Sequence, residues 1–179
     1  ASLDGIGLQG HSTVEMYTDP AFVKTIWEKL ELYAGYGLPI KITEFDLEGY
    51  KGEDLQAEAL EKALTLFFSH PSVQGFYLWG FWDGRHWRNS EEYSFTGKSE
   101  EAGFWRRDWS EKPAAQVWRK KIFEDWFTEE SGMTDASGRF RTRGFHGQYR
   151  VTVEHEGEIK KCDLQVSHKV SPDETVIRF

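Results

Sequence analysis

Ile40-Lys41-Ile42-Thr43-Glu44-Phe45-Asp46 is the stretch on which the reading of this chain turns. It is short and mostly apolar, with β-branched side chains at Ile40, Ile42 and Thr43. It follows Gly37-Leu38-Pro39 and ends in two carboxylates two positions apart. Those features predict a buried strand of a parallel sheet. Side chains two apart on a strand share a face, so Glu44 and Asp46 are expected together at the strand's C-terminal end. In β/α barrels and open α/β sheets, the chemistry sits at that end. A buried acid needs a partner or a task, because burying it alone is costly. On this stretch alone, an acid that caps the next loop or pairs with a base competes evenly with a catalytic one.

Working outward, Asp4-Gly5-Ile6-Gly7-Leu8-Gln9-Gly10-His11 reads as a glycine-rich strand that ends in Gln9 and His11, again on one face. Asp19-Pro20 predicts a helix start, with Asp as N-cap and Pro at the first helical position. Phe22, Ile26, Leu30 and Tyr33 supply its apolar face, and Gly35-Tyr36-Gly37 ends it. After the polar loop Gly49–Asp54, a second helix carries Leu55, Ala59, Leu60, Ala63, Leu64, Phe67 and Phe68 until His70-Pro71 stops it. A third strand is expected at Val73–Gly80, then a long aromatic and charged loop from Phe81 to about Asp108. Ser110 through Pro113 opens a helix with Ala114, Val117, Trp118, Ile122, Phe123 and Trp126. Three strand–loop–helix units in a row indicate an α/β parallel arrangement over residues 1–130. Beyond Glu130 the composition changes. The turn Asp135-Ala136-Ser137-Gly138 and β-like runs at 139–142, 148–153, 159–166 and 174–179 predict a small antiparallel β module over 131–179.

Composition narrows the function. The net charge of −8 argues against nucleic acid, and the basic runs Arg119-Lys120-Lys121 and Arg139, Arg141, Arg143 read as solvated faces. The single Cys162 forbids an intrachain disulfide, and no spacing suits a metal or other cofactor. No run of 18 or more apolar residues exists to span a membrane. The abrupt opening Ala1-Ser2-Leu3 carries no signal-peptide pattern and reads as a piece that begins mid-fold. Aromatics reach 16%, with eight Trp. Filling the core is the expected task for most of them, and lining a ligand cleft for a few. His70, His146, His155 and His168 read as loop or surface residues.

Read together, the three strand ends contribute Gln9 and His11, Glu44 and Asp46, and Trp79 to one cleft. A Glu flanked by a His and a second acid can be held ionised and oriented, as a carboxylate nucleophile requires. An aromatic plane beside it suits a sugar ring.

The motifs here resemble glycoside hydrolase family 10, the β-1,4-xylanases built on a (β/α)8 TIM barrel. Gly5-Ile6-Gly7-Leu8-Gln9-Gly10-His11 is similar to that family's sixth-strand motif, and Ile42-Thr43-Glu44-Phe45-Asp46 to its seventh-strand nucleophile motif with Phe for the usual Leu. Trp79-Gly80, Asp83 and Trp87 resemble the eighth strand and its loop. Gly103-Phe104 through Asp108, then Lys112-Pro113-Ala114, resembles the closing segment. The resemblance covers roughly residues 3 to 127, and Gly138 to Val153 is similar to a β extension on some members, plant-type ones included. It implies the C-terminal portion of a barrel, strands six to eight, followed by the β module. It implies Glu44 as nucleophile of a retaining hydrolysis, with His11 and Asp46 holding it oriented. It also implies Gln9, Trp79 and Trp87 as substrate-binding residues, and xylan or a related β-1,4-linked polysaccharide as substrate. The family's acid/base Glu lies in a fourth-strand Trp/Asn/Glu motif, and the one Asn of this chain, Asn89, precedes Ser90. A longer xylanase-like enzyme, secreted, whose N-terminal barrel half is a separate chain or part of the same precursor, is the expectation. The alternative is a non-catalytic carbohydrate-binding protein with a Trp-lined cleft.

Overall fold

The strand expected around Glu44 forms as β3 (Ile40–Leu47), and it is the hub of a four-stranded parallel sheet. In the computed structural model, which describes residues 2–166 and 176–178, β1 (Ile6–Leu8) and β2 (His11–Ser12) run end to end along one edge of β3. The other edge carries β4 (Val73–Leu78). The first strand of the sequence reading is thus broken in two. The break falls at Gly10, where φ is +86° and an added Cβ would lie 2.7 Å from Ile42 Cγ2. Only glycine suits both conditions. Main-chain bonding crosses the break, because the Glu44 N–H donates to the Gln9 carbonyl at 2.8 Å.

The buried apolar residues of β3 are Ile40, Ile42, Phe45 and Leu47, a spacing of two, three and two. The extra residue is a bulge. Register slips by one between Leu8↔Ile42 and His11↔Asp46 on one side, and between Ile42 and Phe45 on the other. A bulge bends the strand and re-aims the side chains beyond it. Here Phe45 packs on Tyr17 and Phe76, and Tyr17 on Phe67, while Glu44, Asp46 and Glu48 alternate with the core positions.

Helices cover the apolar side. A single turn not anticipated from sequence, α1 (Glu15–Thr18), buries Tyr17. Next, α2 (Pro20–Ala34) begins as expected: Asp19 accepts the Ala21 N–H at 2.8 Å, with Pro20 first in the helix. Its apolar stripe deepens towards Leu30, and Phe22, on the first turn, is exposed rather than buried. Further on, α3 (Glu53–Ser69) buries Ala59, Leu60, Ala63, Leu64 and Phe67, whereas Phe68 sits about 100° round the helix from Phe67 and faces out. His70 is a correction to the surface reading. It is buried after α3, edge-on to Trp27 at 4.9 Å, and accepts the Ser72 N–H. Packed on α3, α4 (Pro113–Lys120) buries Ala114 and Ala115 and runs into a π-helical turn, Lys121–Asp125, where Phe123 is exposed. None of the eight Trp is fully buried. The aromatic core is built from Tyr17, Phe45, Phe67 and Phe104 instead.

The chain divides into two compact units, one ending at Ile122 and the other beginning at Phe123. The second holds an antiparallel hairpin of β5 (Gly147–His155) and β6 (Glu158–Val166). Glu156 and Gly157 form its two-residue turn, both at positive φ, which matches strand twist. Tyr149, Val151 and Val153 are half-buried while Arg150 and Thr152 are exposed, as the alternation predicts. The run 139–142 is not a strand. Asp135 instead accepts the Ser137 and Arg139 N–H groups in a turn and donates its own N–H to the Arg139 carbonyl, and among the described residues the run joins no strand ladder. Of 174–179, residues 174, 175 and 179 lie outside the described residues, and 176–178 are irregular.

Candidate active site

At the C-terminal end of the sheet, His11 sits between two carboxylates. Its Nε2 is 3.2 Å from Glu44 Oε2 and its Nδ1 is 2.9 Å from Asp46 Oδ2. The register that pairs His11 with Asp46 makes this contact, and the bulge sets Glu44 beside it. Glu44 is partly open to solvent, whereas Asp46 is fully buried. An accessible carboxylate tied to a buried one through an imidazole is the arrangement a held nucleophile needs.

Trp87 closes over this line. Its indole Nε1 donates to Asp46 Oδ2 at 2.6 Å, and its ring lies 4.8 Å from the His11 ring. Trp79 stands one strand away. Its N–H donates to the Phe45 carbonyl at 2.8 Å, extending the ladder past Leu78, and its side chain is 49% exposed. Gln9 meets Glu44 through its main-chain carbonyl, with its side chain exposed. The structure therefore brings His11, Glu44, Asp46 and Trp87 into direct contact and puts Gln9 and Trp79 at the same sheet end.

The sequence reading assigned no role to Arg88, and the structure gives it a central one. Arg88 is 1% exposed and contacts three buried acids: Asp46 Oδ1 at 2.8 Å, Glu48 Oε2 at 3.4 Å and Glu100 Oε2 at 2.5 Å. Its side chain also lies over the Phe95 ring at 4.4 Å. The signal was in the sequence, since Glu44, Asp46 and Glu48 continue one alternation. The two of them that are buried, Asp46 and Glu48, need a buried cation. A second buried pair braces the same loop, with Lys112 Nζ 2.7 Å from Asp83 Oδ2. His86, also buried, accepts the Arg88 N–H at Nδ1, and burial holds its pKa below the usual imidazole value. Among the described residues, no group of three or more His, Cys, Asp or Glu is arranged to hold a metal ion. Nor does any described helix have the length and apolarity to cross a membrane.

The family model for Glycosyl hydrolase family 10 matches residues 1–121, the stretch that contains every one of these residues. The chain belongs to that family. Family 10 enzymes are TIM-barrel proteins, and the parallel sheet around β3 with its covering helices is a part of such a barrel. Among relatives, Anti-sigma-I factor RsgI6 of Acetivibrio thermocellus is 35% identical over 158 residues, which cover 88% of this chain and 19% of that protein. Endo-1,4-beta-xylanase 1 of Arabidopsis thaliana is 33% identical over 154 residues, 86% of this chain and 14% of that protein. Both alignments are longer than the family 10 match, so they reach into the second unit. Native xylanase 10B from Thermotoga maritima superposes with a TM-score of 0.55 at 27% identity, covering 68% of this chain and 38% of that one. The chain thus spans about a fifth or less of the length of these two curated relatives.

Proposed function

We propose that this chain supplies the nucleophile side of a retaining β-1,4-xylan hydrolase, with Glu44 as nucleophile. The observation that carries the reading is His11, within 3.2 Å of Glu44 and 2.9 Å of Asp46. Mere binding of a sugar has no need of a carboxylate held in this way. In the reaction, a Glu44 oxygen attacks the anomeric carbon as the glycosidic C–O bond breaks, giving a covalent glycosyl-enzyme. Water then releases the sugar with net retention.

Asp46 keeps His11 oriented, and His11 keeps Glu44 aimed. Trp79 offers a half-exposed ring to the reacting sugar, Trp87 walls the cleft, and the Gln9 side chain reaches a hydroxyl. The acid/base carboxyl, which in retaining enzymes stands about 5–5.5 Å from the nucleophile, comes from outside these 179 residues. On this reading the chain is the barrel's C-terminal portion, strands six to eight over 1–130, with a β module over 131–179. The remaining strands are its partner, and the assembly works outside the cell, where polysaccharide is met.

A 2-deoxy-2-fluoro-xylobioside with a dinitrophenolate leaving group tests this directly. So good a leaving group needs no acid, so only the nucleophile is interrogated. Expected is a covalent adduct on the peptide containing Glu44, absent in Glu44→Gln. Binding without an adduct makes the chain a carbohydrate-binding protein, and an adduct elsewhere removes Glu44 from the role.

A further inference from the structure

We infer that Arg88 is the positioning residue that fixes the polarity of the Glu44–His11–Asp46 line, an inference that rests on the reading of Glu44 as nucleophile. A guanidinium has five N–H donors and no acceptor. Arg88 makes four hydrogen bonds with them and one further ion-pair contact. Nε donates to Glu100 Oε2 at 2.6 Å, Nη1 to Asp46 Oδ1 and to the Ser12 carbonyl, each at 2.8 Å. Nη2 reaches Glu48 Oε2 at 3.4 Å and Glu100 Oε2 at 2.5 Å.

These partners come from three parts of the unit. Ser12 belongs to β2, Asp46 and Glu48 to β3 and the residue after it, and Glu100 to the loop that follows β4. The acids are themselves held. Glu48 Oε1 accepts the Val14 N–H at 3.0 Å, and Glu100 Oε1 the Thr96 N–H at 2.8 Å. The guanidinium therefore has one seat.

The consequence for His11 follows from donor arithmetic. Arg88 donates to one oxygen of Asp46 and Trp87 to the other. Neither can accept, so Asp46 is an acceptor in both contacts. A carboxylate paired with a guanidinium has no hydrogen of its own to give, so its remaining partner, His11 Nδ1 at 2.9 Å, is the donor. Nε2 is left to face Glu44 Oε2 at 3.2 Å, where one hydrogen shared between the two atoms holds the carboxylate in place. Without Arg88, Asp46 stands in a buried nest with Glu48 and Glu100 and no guanidinium between them. A protonated Asp46 would donate to Nδ1 and reverse the line. Lysine does not replace this seat, since an ammonium is a compact charge with three donors and no planar fork.

The first measurement needs no variant. In 15N NMR of the full chain, the Arg88 Nη1 and Nη2 groups are expected as separate, slowly exchanging signals. A single averaged signal overturns the inference, because a rotating guanidinium fixes nothing. The second compares Arg88→Lys with Lys112→Met, which breaks the other buried ion pair of the same loop. Arg88→Lys is expected to slow labelling of Glu44 by the fluoroxylobioside about 10- to 100-fold at saturation, the size typical of partners one contact removed from a reacting group. The concentration for half-maximal labelling should stay put. His11 should lose its Nδ1–H signature in the nitrogen spectrum. Lys112→Met is expected to slow labelling less than about threefold and to leave that signature intact.

Equal slowing in the two variants would reduce Arg88 to a structural brace and overturn the inference. Should the parent chain itself not be labelled, the nucleophile reading fails, and the His11 spectra of the two variants still decide whether Arg88 sets the imidazole. Where Arg88→Lys does not fold, the guanidinium spectrum of the parent chain decides.

Discussion

A histidine between two carboxylates can donate to both only when both nitrogens carry hydrogen, and a neutral ring must choose. His11 faces Asp46 with Nδ1 and Glu44 with Nε2. Hydrogen bonds to charged groups contribute about 1.5–3 kcal/mol each, so removing the ring should slow glycosylation of Glu44 about 10- to 100-fold. Asp46 keeps its Arg88 and Trp87 donors, so His11→Ala is expected to fold and to lose no more than about 2 kcal/mol in urea titration. Complete loss of soluble protein would make His11 a core residue instead. His86 behaves differently. Burial, the largest influence, lowers its pKa; Asp46 raises it and Arg88 lowers it. Its folded value therefore lies below the ordinary 6.5, and the unfolded chain takes up the proton first. The stability from neutral His86 is complete above about pH 6.5 and is lost as pH falls towards the folded value. Comparing urea unfolding at pH 7.5 and 5.5, the parent chain should lose more than His86→Gln, by at most about 1.4 kcal/mol per pH unit. Parallel losses would show that other groups govern the acid limb.

At the scale of elements, the decisive feature is the bulge in β3, which the sequence reading of a regular strand did not include although its mark is there. Apolar residues at 40, 42, 45 and 47 do not fit strict alternation, and the odd step marks the extra residue. Less legible was the break at Gly10. A glycine in a strand-like run can relieve crowding or adopt positive φ, and only the neighbour Ile42 distinguishes the two. Gly10→Ala meets both a left-handed backbone and a 2.7 Å clash, whereas Gly37, also at positive φ, has nothing within 4 Å of an added Cβ. Gly37→Ala should cost about 1 kcal/mol of backbone strain, and Gly10→Ala about 2–3 kcal/mol together with loss of the His11↔Asp46 register. Urea midpoints read the first effect and the His11 nitrogen spectrum the second. Equal costs would mean that the Ile42 contact relaxes freely. The run 139–142 failed as a strand for a reason that a short pattern cannot carry, because alternation gives a face but a ladder needs a partner. Arg88 escaped notice likewise. Its three acids lie 12, 40 and 42 positions away, and only folding brings them together.

At the scale of the molecule, the sheet poses a problem of edges. Among the described residues, β1 and β4 each pair with β3 alone, so their outer edges carry unpaired main-chain groups. Exposed edges of this kind recruit further strands. On the proposed reading they would pair with further strands of a closed barrel, and one of those would bring an acid/base carboxyl towards Glu44. Both needs point to the same partner. General acid assistance is typically worth about 10²–10⁴-fold, and unactivated xylan depends on it while a dinitrophenyl glycoside does not. The chain alone should therefore react with the activated sugar and release little reducing sugar from soluble β-1,4-xylan. Refolding it with the first five strand–helix units of a family 10 barrel is expected to raise xylan hydrolysis by at least about 100-fold. That gain should vanish with Glu44→Gln in this chain and with loss of the acid/base Glu in the added one. If the chain alone already cleaves xylan at the complemented rate, an acid within these 179 residues serves the leaving group, and the division of the active site between two barrel halves is wrong.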